Sequence, residues 1–300
     1  MPIAGTSGGQ EEAMSDAPAG TERLVRRDGV ELATEAFGDR GLPCVLLIMG
    51  AMASMLWWPE PLCRRLADAG FHVIRYDNRD TGRSTCCVPG QPDYTFDDMV
   101  DDVFRVLDAY GVEAAHLVGM SMGGAIAQRA ALERPGRVKT LTLISTSPIE
   151  TGRSELPGVS DAYAEHLRTA SPPDWSDRAS ATDAMVGEMR ALAGTAESFD
   201  EAAARETAER DFDRARSYAS ATNHYALPDG RPLRHRLSDL AAPLLVIHGD
   251  ADPLFPIAHA EAFLEVLPEA GLVRLAGGGH ELASVHCPTI VGAIADRAAH

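Results

Sequence analysis

Leu117-Val118-Gly119-Met120-Ser121-Met122-Gly123-Gly124 sets a serine between an apolar run and a segment of helical spacing. A chain that passes from strand to helix around one residue must turn sharply there. Gly119 and Gly123 lack the Cβ atoms that would clash in such a turn. A serine hydroxyl attacks poorly at neutral pH unless it is exposed, held in place and next to a base, and the turn supplies the first two conditions. Backbone strain at its apex costs roughly 1–3 kcal/mol, so a packed strand and helix must hold it. The same five-residue pattern recurs at Gly5-Thr6-Ser7-Gly8-Gly9, with no strand before it and no helix after it. Context selects Ser121.

The surrounding residues supply that context. Val25 to Phe37 reads as a hairpin around Asp28-Gly29. Val45–Ile48, Phe71–Tyr76, His116–Val118, Val138–Ile144, Leu244–Ile247 and Leu272–Leu275 are short apolar runs, the pattern of strands buried on both faces. Helical spacing falls between them at Leu62, Cys63, Leu66 and Ala69, closed by Gly70, and again from Thr95, with Asp98 at capping-box distance, to Tyr110. Two more helices are expected, after Ser121 and over Ala258–Leu267. A last one should begin at Glu281 or Leu282 and be interrupted by Pro288. Alternation of this kind predicts an α/β fold: a mostly parallel eight-stranded sheet with helices on both faces. It breaks over residues 147–236, where acidic, alanine-rich helical patterns carry stripes such as Met185, Met189 and Leu192. The expected organisation is a disordered tail over 1–20, a core from 21–146 and 237–300, and a helical insertion over 147–236.

A net charge of −17 argues against nucleic acid or an anionic membrane as the partner. The most apolar stretch, Cys44 to Trp58, is shorter than the roughly 18 residues of a membrane span. The first residues show no basic and apolar secretory pattern. Cys44, Cys63, Cys86, Cys87 and Cys287 are odd in number and lack metal-ligand spacing, which points to reduced thiols in the cytoplasm.

An activated serine needs a base and a carboxylate that fixes the base's tautomer. His280 follows Gly277-Gly278-Gly279 after a strand, at the sheet end where catalytic groups gather in open parallel sheets. His286 and His248 read as packing residues. Asp250 and Asp252 both follow the strand ending at His248, and spacing alone leaves both open. The order serine, aspartate, histidine is that of α/β-hydrolases. The oxyanion needs two backbone N–H donors: Met122, at the start of the helix, and Ala51, in the turn after the first buried strand. Asp97, Asp98, Asp101 and Asp102 read mostly as the solvated start of a helix, and Asp77-Asn78-Arg79-Asp80 as a structural turn. Met52, Trp57, Met120, Tyr225 and Phe255 are candidates for an apolar substrate pocket. No metal and no cofactor is called for.

These residues, together with Trp58-Pro59, Val73-Ile74-Arg75-Tyr76-Asp77, Arg79-Asp80-Thr81-Gly82-Arg83-Ser84-Thr85, His224-Tyr225, Asp252-Pro253 and Ser284-Val285-His286, resemble the serine α/β-hydrolases. Among them they are most similar to the aclacinomycin methylesterase-like enzymes of aromatic polyketide biosynthesis. The resemblance implies Ser121, Asp252 and His280 as a triad beneath a helical cap. It implies cofactor-free hydrolysis of a small-molecule ester, a methyl ester on a polycyclic aromatic glycoside. Where many hydrolases carry His-Gly, this chain has Met49-Gly50. A general carboxylesterase or lactonase, a cofactor-free haloperoxidase, a C–C bond hydrolase and a non-catalytic binding protein share the scaffold and stand as alternatives.

Overall fold

A computed structural model of the chain describes residues 20–150, 156–195, 199–228 and 230–299. The expected tail, with its copy of the serine motif, lies outside them apart from Gly20. Eight strands form one sheet: β1 (Glu22–Arg27), β2 (Val30–Phe37), β3 (Cys44–Ile48), β4 (His72–Tyr76), β5 (Ala115–Met120), β6 (Val138–Ile144), β7 (Leu244–Gly249) and β8 (Gly271–Leu275). Their spatial order is β1-β2-β4-β3-β5-β6-β7-β8. The β1–β2 and β2–β4 pairs are antiparallel and the remaining pairs parallel. Asp28 (φ 52°) and Gly29 (φ 79°) make the first hairpin turn in the left-handed conformation that two-residue hairpin loops require.

The apolar runs work as expected of a sheet covered twice. Every residue of β3, β5 and β7 is buried. Side chains alternate between faces, so Leu46 and Ile48 pack with Val103 and Phe104 of α2 (Phe96–Ala109) and Ile126 of α3 (Met122–Glu133). Val45 and Leu47 pack on the other face with Leu62 and Leu66 of α1 (Glu60–Asp68) and with Ile290 and Ile294 near the C-terminus. At the start of α2, Asp98 Oδ2 accepts both the Thr95 N–H and the Thr95 hydroxyl, each at 2.8 Å.

Between β6 and β7 the described residues contain no strand. They form α4 (Asp161–Thr169), α5 (Arg178–Leu192), α6 (Glu201–Arg214) and a 3₁₀ segment over Tyr218–Tyr225. Met185, Val186, Ala208 and Tyr218 give this insertion a small core of its own, against which Trp57 packs. The chain then returns through β7, α7 (Ala258–Val266) and β8.

Two expectations are corrected. The last helix, α8, runs over Cys287–Ala299, so Pro288 lies in its first turn rather than interrupting it. That turn has no use for the N–H that proline lacks. The acidic cluster at α2 is also not uniformly solvated. Asp97 and Asp102 are buried, Asp97 paired with Arg129 at 2.7 Å and Asp102 with Arg79 at 2.6 Å and Arg105 at 2.8 Å. On a helix packed against the sheet, positions 97 and 102 turn inward, and only paired carboxylates are tolerated there.

Candidate active site

Ser121 is the single residue between β5 and α3, with φ 53° and ψ −121°. A non-glycine residue takes this left-handed conformation only when its surroundings over-determine it. The Ser121 N–H donates to the Ile144 carbonyl at 3.0 Å, and the Thr146 hydroxyl donates to the Ser121 carbonyl at 2.8 Å. A Cβ at Gly119 would lie 2.3 Å from the Gly123 carbonyl oxygen, and one at Gly123 would lie 2.1 Å from that of Ile48. Both glycines are therefore required by contact. Ser121 itself remains partly accessible.

The loop after β3 runs beside it. A Cβ at Gly50 would stand 3.1 Å from Ser121 Cβ and 3.7 Å from its Oγ. Ala51 follows, and Met52 again has a left-handed backbone, φ 62°. The buried turn Asp77–Asp80 braces this loop, Asn78 Nδ2 donating to the Met49 carbonyl at 2.9 Å and Asp77 Oδ1 accepting the Met55 N–H at 2.9 Å. Met122 N–H stands in the first turn of α3, where backbone donors have no intrahelical acceptor.

His280 and Asp252 meet at the same end of the sheet. His280 Nδ1 lies 2.9 Å from Asp252 Oδ2. Asp252 Oδ1 accepts the N–H groups of Leu254 at 2.9 Å and Phe255 at 2.8 Å. Burial alone would push the Asp252 carboxyl up. The His280 hydrogen bond and charge and the Phe255 N–H outweigh it, and hold the group below 3.8. Of the two carboxylates that spacing left open, Asp252 reaches the imidazole, while Asp250 Oδ1 accepts the Gly277 N–H at 2.7 Å. His248, fully buried, donates from Nε2 to the Phe255 carbonyl at 2.7 Å, and burial lowers its pKa.

The pocket candidates scatter. The Phe255 ring stands edge-on to the His280 imidazole, 5.5 Å between centroids. Trp57 is half-buried and donates from Nε1 to Asp211 Oδ2 at 2.9 Å. Met120 is buried in the core beneath the sheet, Met52 is partly exposed, and Tyr225 is 75% exposed. No cluster of metal-ligating side chains is found among the described residues.

The insertion holds each of the three loops by a hydrogen bond. His280 N–H donates to the Leu192 carbonyl at 2.8 Å, Ser160 N–H donates to the Pro253 carbonyl at 2.7 Å, and Met52 N–H donates to His224 Nδ1 at 3.0 Å. Sequence reasoning assigned no role to Asn78 or His224. Asn78 sits in a turn that spacing alone reads as structural. His224 shows only as part of the His224-Tyr225 pair, in a region without strand landmarks.

Comparisons with known proteins agree with this architecture. The sequence profile of the α/β-hydrolase fold matches residues 43–286. The chain is 33% identical over 282 residues to the rhodomycin D methylesterase DauP of Streptomyces sp. (strain C5), covering 89% of this chain and 94% of that protein. Identity and coverage are the same for the rhodomycin D methylesterase DnrP of Streptomyces peucetius. Among solved structures, the enol-lactonase of Burkholderia xenovorans LB400 superposes with a TM-score of 0.71 at 22% identity, over 93% of this chain and 100% of that one, a likeness of fold alone. With profile, full-length relatives and sheet order in agreement, the chain belongs to the α/β-hydrolase family.

Proposed function

We propose that this chain is a serine esterase that hydrolyses a methyl ester on a bulky polyketide-type small molecule through an acyl-enzyme. One observation carries the chemistry: an imidazole held by a buried carboxylate, His280 on Asp252, at the sheet end where the β5–α3 turn displays Ser121. In this reading Asp252 fixes His280 with its proton on Nδ1, which leaves Nε2 as the base. Ser121 Oγ attacks the ester carbonyl as His280 Nε2 takes its proton. The N–H groups of Ala51 and Met122 stabilise the oxyanion. His280 then protonates the departing methoxide to methanol, and water repeats the sequence to release the acid. The choice of a methyl ester and a polycyclic acyl group is supported by the end-to-end similarity to rhodomycin D methylesterases.

The helical insertion, 147–236, serves as the lid of the acyl pocket in this proposal, with Met52, Trp57, Phe255 and Tyr225 as its apolar contacts and Met120 as packing under the serine turn. The five unpaired thiols suit a reducing, cytoplasmic setting. Among the described residues no helix is long and apolar enough to cross a membrane.

The test is methanol release from a polycyclic aromatic methyl ester by the purified protein, beside its Ser121→Ala variant. Stoichiometric methanol and acid from the wild type, abolished in the variant, is expected. A wild type inert toward every carboxylic ester, or a variant as active as the wild type, refutes the proposal.

A further inference from the structure

His224 lies in the 3₁₀ segment of the insertion, 172 residues from Met52 in sequence, and is buried. Both ring nitrogens are engaged. Nε2 lies 2.8 Å from the Arg79 carbonyl oxygen, which can only accept, so Nε2 carries a proton. Nδ1 lies 3.0 Å from the Met52 amide, which can only donate, so Nδ1 carries none. The partners thus fix one neutral tautomer. Burial, which lowers the pKa of His224, favours the same neutral state.

The amide that His224 holds belongs to a residue with a left-handed backbone, Met52 at φ 62°. A methionine there is strained, and the strain persists only where neighbours hold it. Two consequences follow for the loop that borders Ser121. The Met52 N–H is consumed and cannot face an oxyanion, so the donor of this turn is a different amide, that of Ala51 in the esterase reading. The turn that carries Ala51 is held on one side by Asn78 through the Met49 carbonyl, at 2.9 Å, and on the other by His224. From this arrangement we infer that His224 is a positioning residue for the oxyanion hole, supplied by the insertion and acting through the Met52 amide on the placement of the Ala51 N–H.

This inference rests on the esterase reading, and its test separates the two. His224→Leu keeps an apolar side chain of similar reach but offers the Met52 amide no acceptor. His224→Gln presents an amide oxygen and an amide N–H in place of the two ring nitrogens. With a short-chain aryl ester, His224→Leu is expected to lose about 10- to 100-fold in kcat while KM moves less than about threefold, short of the 10²–10³ for deleting an oxyanion donor outright. Affinity for an aryl trifluoromethyl ketone, whose adduct places an oxyanion in the hole, falls in parallel with kcat/KM, and His224→Gln recovers most of both. A pure packing role would lower the unfolding midpoint of both variants and leave the ketone affinity with that of substrate.

Unchanged kcat in a folded His224→Leu, a change confined to KM, or no difference between Leu and Gln overturns the inference while the esterase reading stands. A wild type inert toward all esters takes both down. Should His224→Leu fail to fold, the ¹⁵N shifts of His224 in the wild type at pH 7, assigned by difference against His224→Gln, decide the matter. A neutral Nε2–H ring is required, and a doubly protonated or Nδ1–H ring overturns it.

Discussion

Replacing Asp252 by asparagine tests the proposed division of labour in the site most sharply, because the structure dictates which way the new amide must face. Oδ1 of Asp252 accepts two backbone N–H groups, from Leu254 at 2.9 Å and Phe255 at 2.8 Å. An NH₂ group there would oppose two donors, so the asparagine keeps its oxygen on that side. Its NH₂ then takes the Oδ2 position, 2.9 Å from His280 Nδ1. Nδ1 must accept, the ring proton moves to Nε2, and the base offered to Ser121 is lost. The corresponding exchange in a serine protease lowers turnover about 10⁴-fold, which at 1.36 kcal/mol per decade is about 5 kcal/mol of barrier. KM for an aryl ester should change little, since the pocket is untouched. The Asp252 carboxyl is held below 3.8 in the folded chain. It therefore contributes stability above that pH, which the wild type loses only as pH falls through the lower folded value and which Asp252→Asn lacks at pH 7. Asp250→Asn is the control: an amide oxygen can still accept the Gly277 N–H, and kcat should stay within about threefold of wild type. Steady-state kinetics on both variants decide. Asp252→Asn within tenfold of wild type, or Asp250→Asn as impaired as Asp252→Asn, refutes the assignment of the carboxylate.

Three further outcomes follow from local geometry. Ser121→Gly removes the hydroxyl and relieves a left-handed serine at φ 53°; it should end ester turnover yet stabilise the fold by about 1 kcal/mol, raising the melting temperature by about 2 °C, where Ser121→Ala should not. Gly123→Ala drives a Cβ to 2.1 Å from the Ile48 carbonyl oxygen and should cost about 3 kcal/mol or more, read as a lowered denaturant midpoint or loss of soluble protein. Asp211 is pushed up to about 6 by burial, so the folded chain resists its ionisation and stability falls as pH rises from about 4 to 6. Asp211→Asn, which can still accept from Trp57, should be more stable than wild type by about 2–3 kcal/mol at pH 8, with the gap closing toward pH 4 in urea melts.

The sheet was legible because its strands are unambiguous: Val45–Ile48 and Leu244–Ile247 are too apolar and too short to be anything but strands covered on both faces, and Asp28-Gly29 can hardly be other than a hairpin turn. The serine turn was legible for the same reason, a local constraint written in adjacent residues. What the sequence left open depends on contacts made across the fold. Asp250 and Asp252 are two residues apart, and only the path of the His280 loop shows that one reaches Gly277 and the other the imidazole. The role inferred for His224 needs the insertion to fold back onto Met52, a contact with no trace in local spacing. Asp97 and Asp102 read as surface charges in sequence because periodicity does not reveal that Arg129 and Arg79 stand on neighbouring elements. Pro288 reads as a helix interruption in sequence because the start of α8 is set by the turn at Ser284–His286, not by an apolar stripe.

In the proposed mechanism Ser121 is the group that carries the acyl chain, and mass spectrometry of the trapped enzyme tests this directly. Incubation with a fluorophosphonate, followed by proteolysis and peptide sequencing, should place a single adduct on Ser121, with ester turnover falling in proportion to occupancy. Full modification that leaves turnover intact, or an adduct on any other residue that abolishes it, would contradict a nucleophilic Ser121.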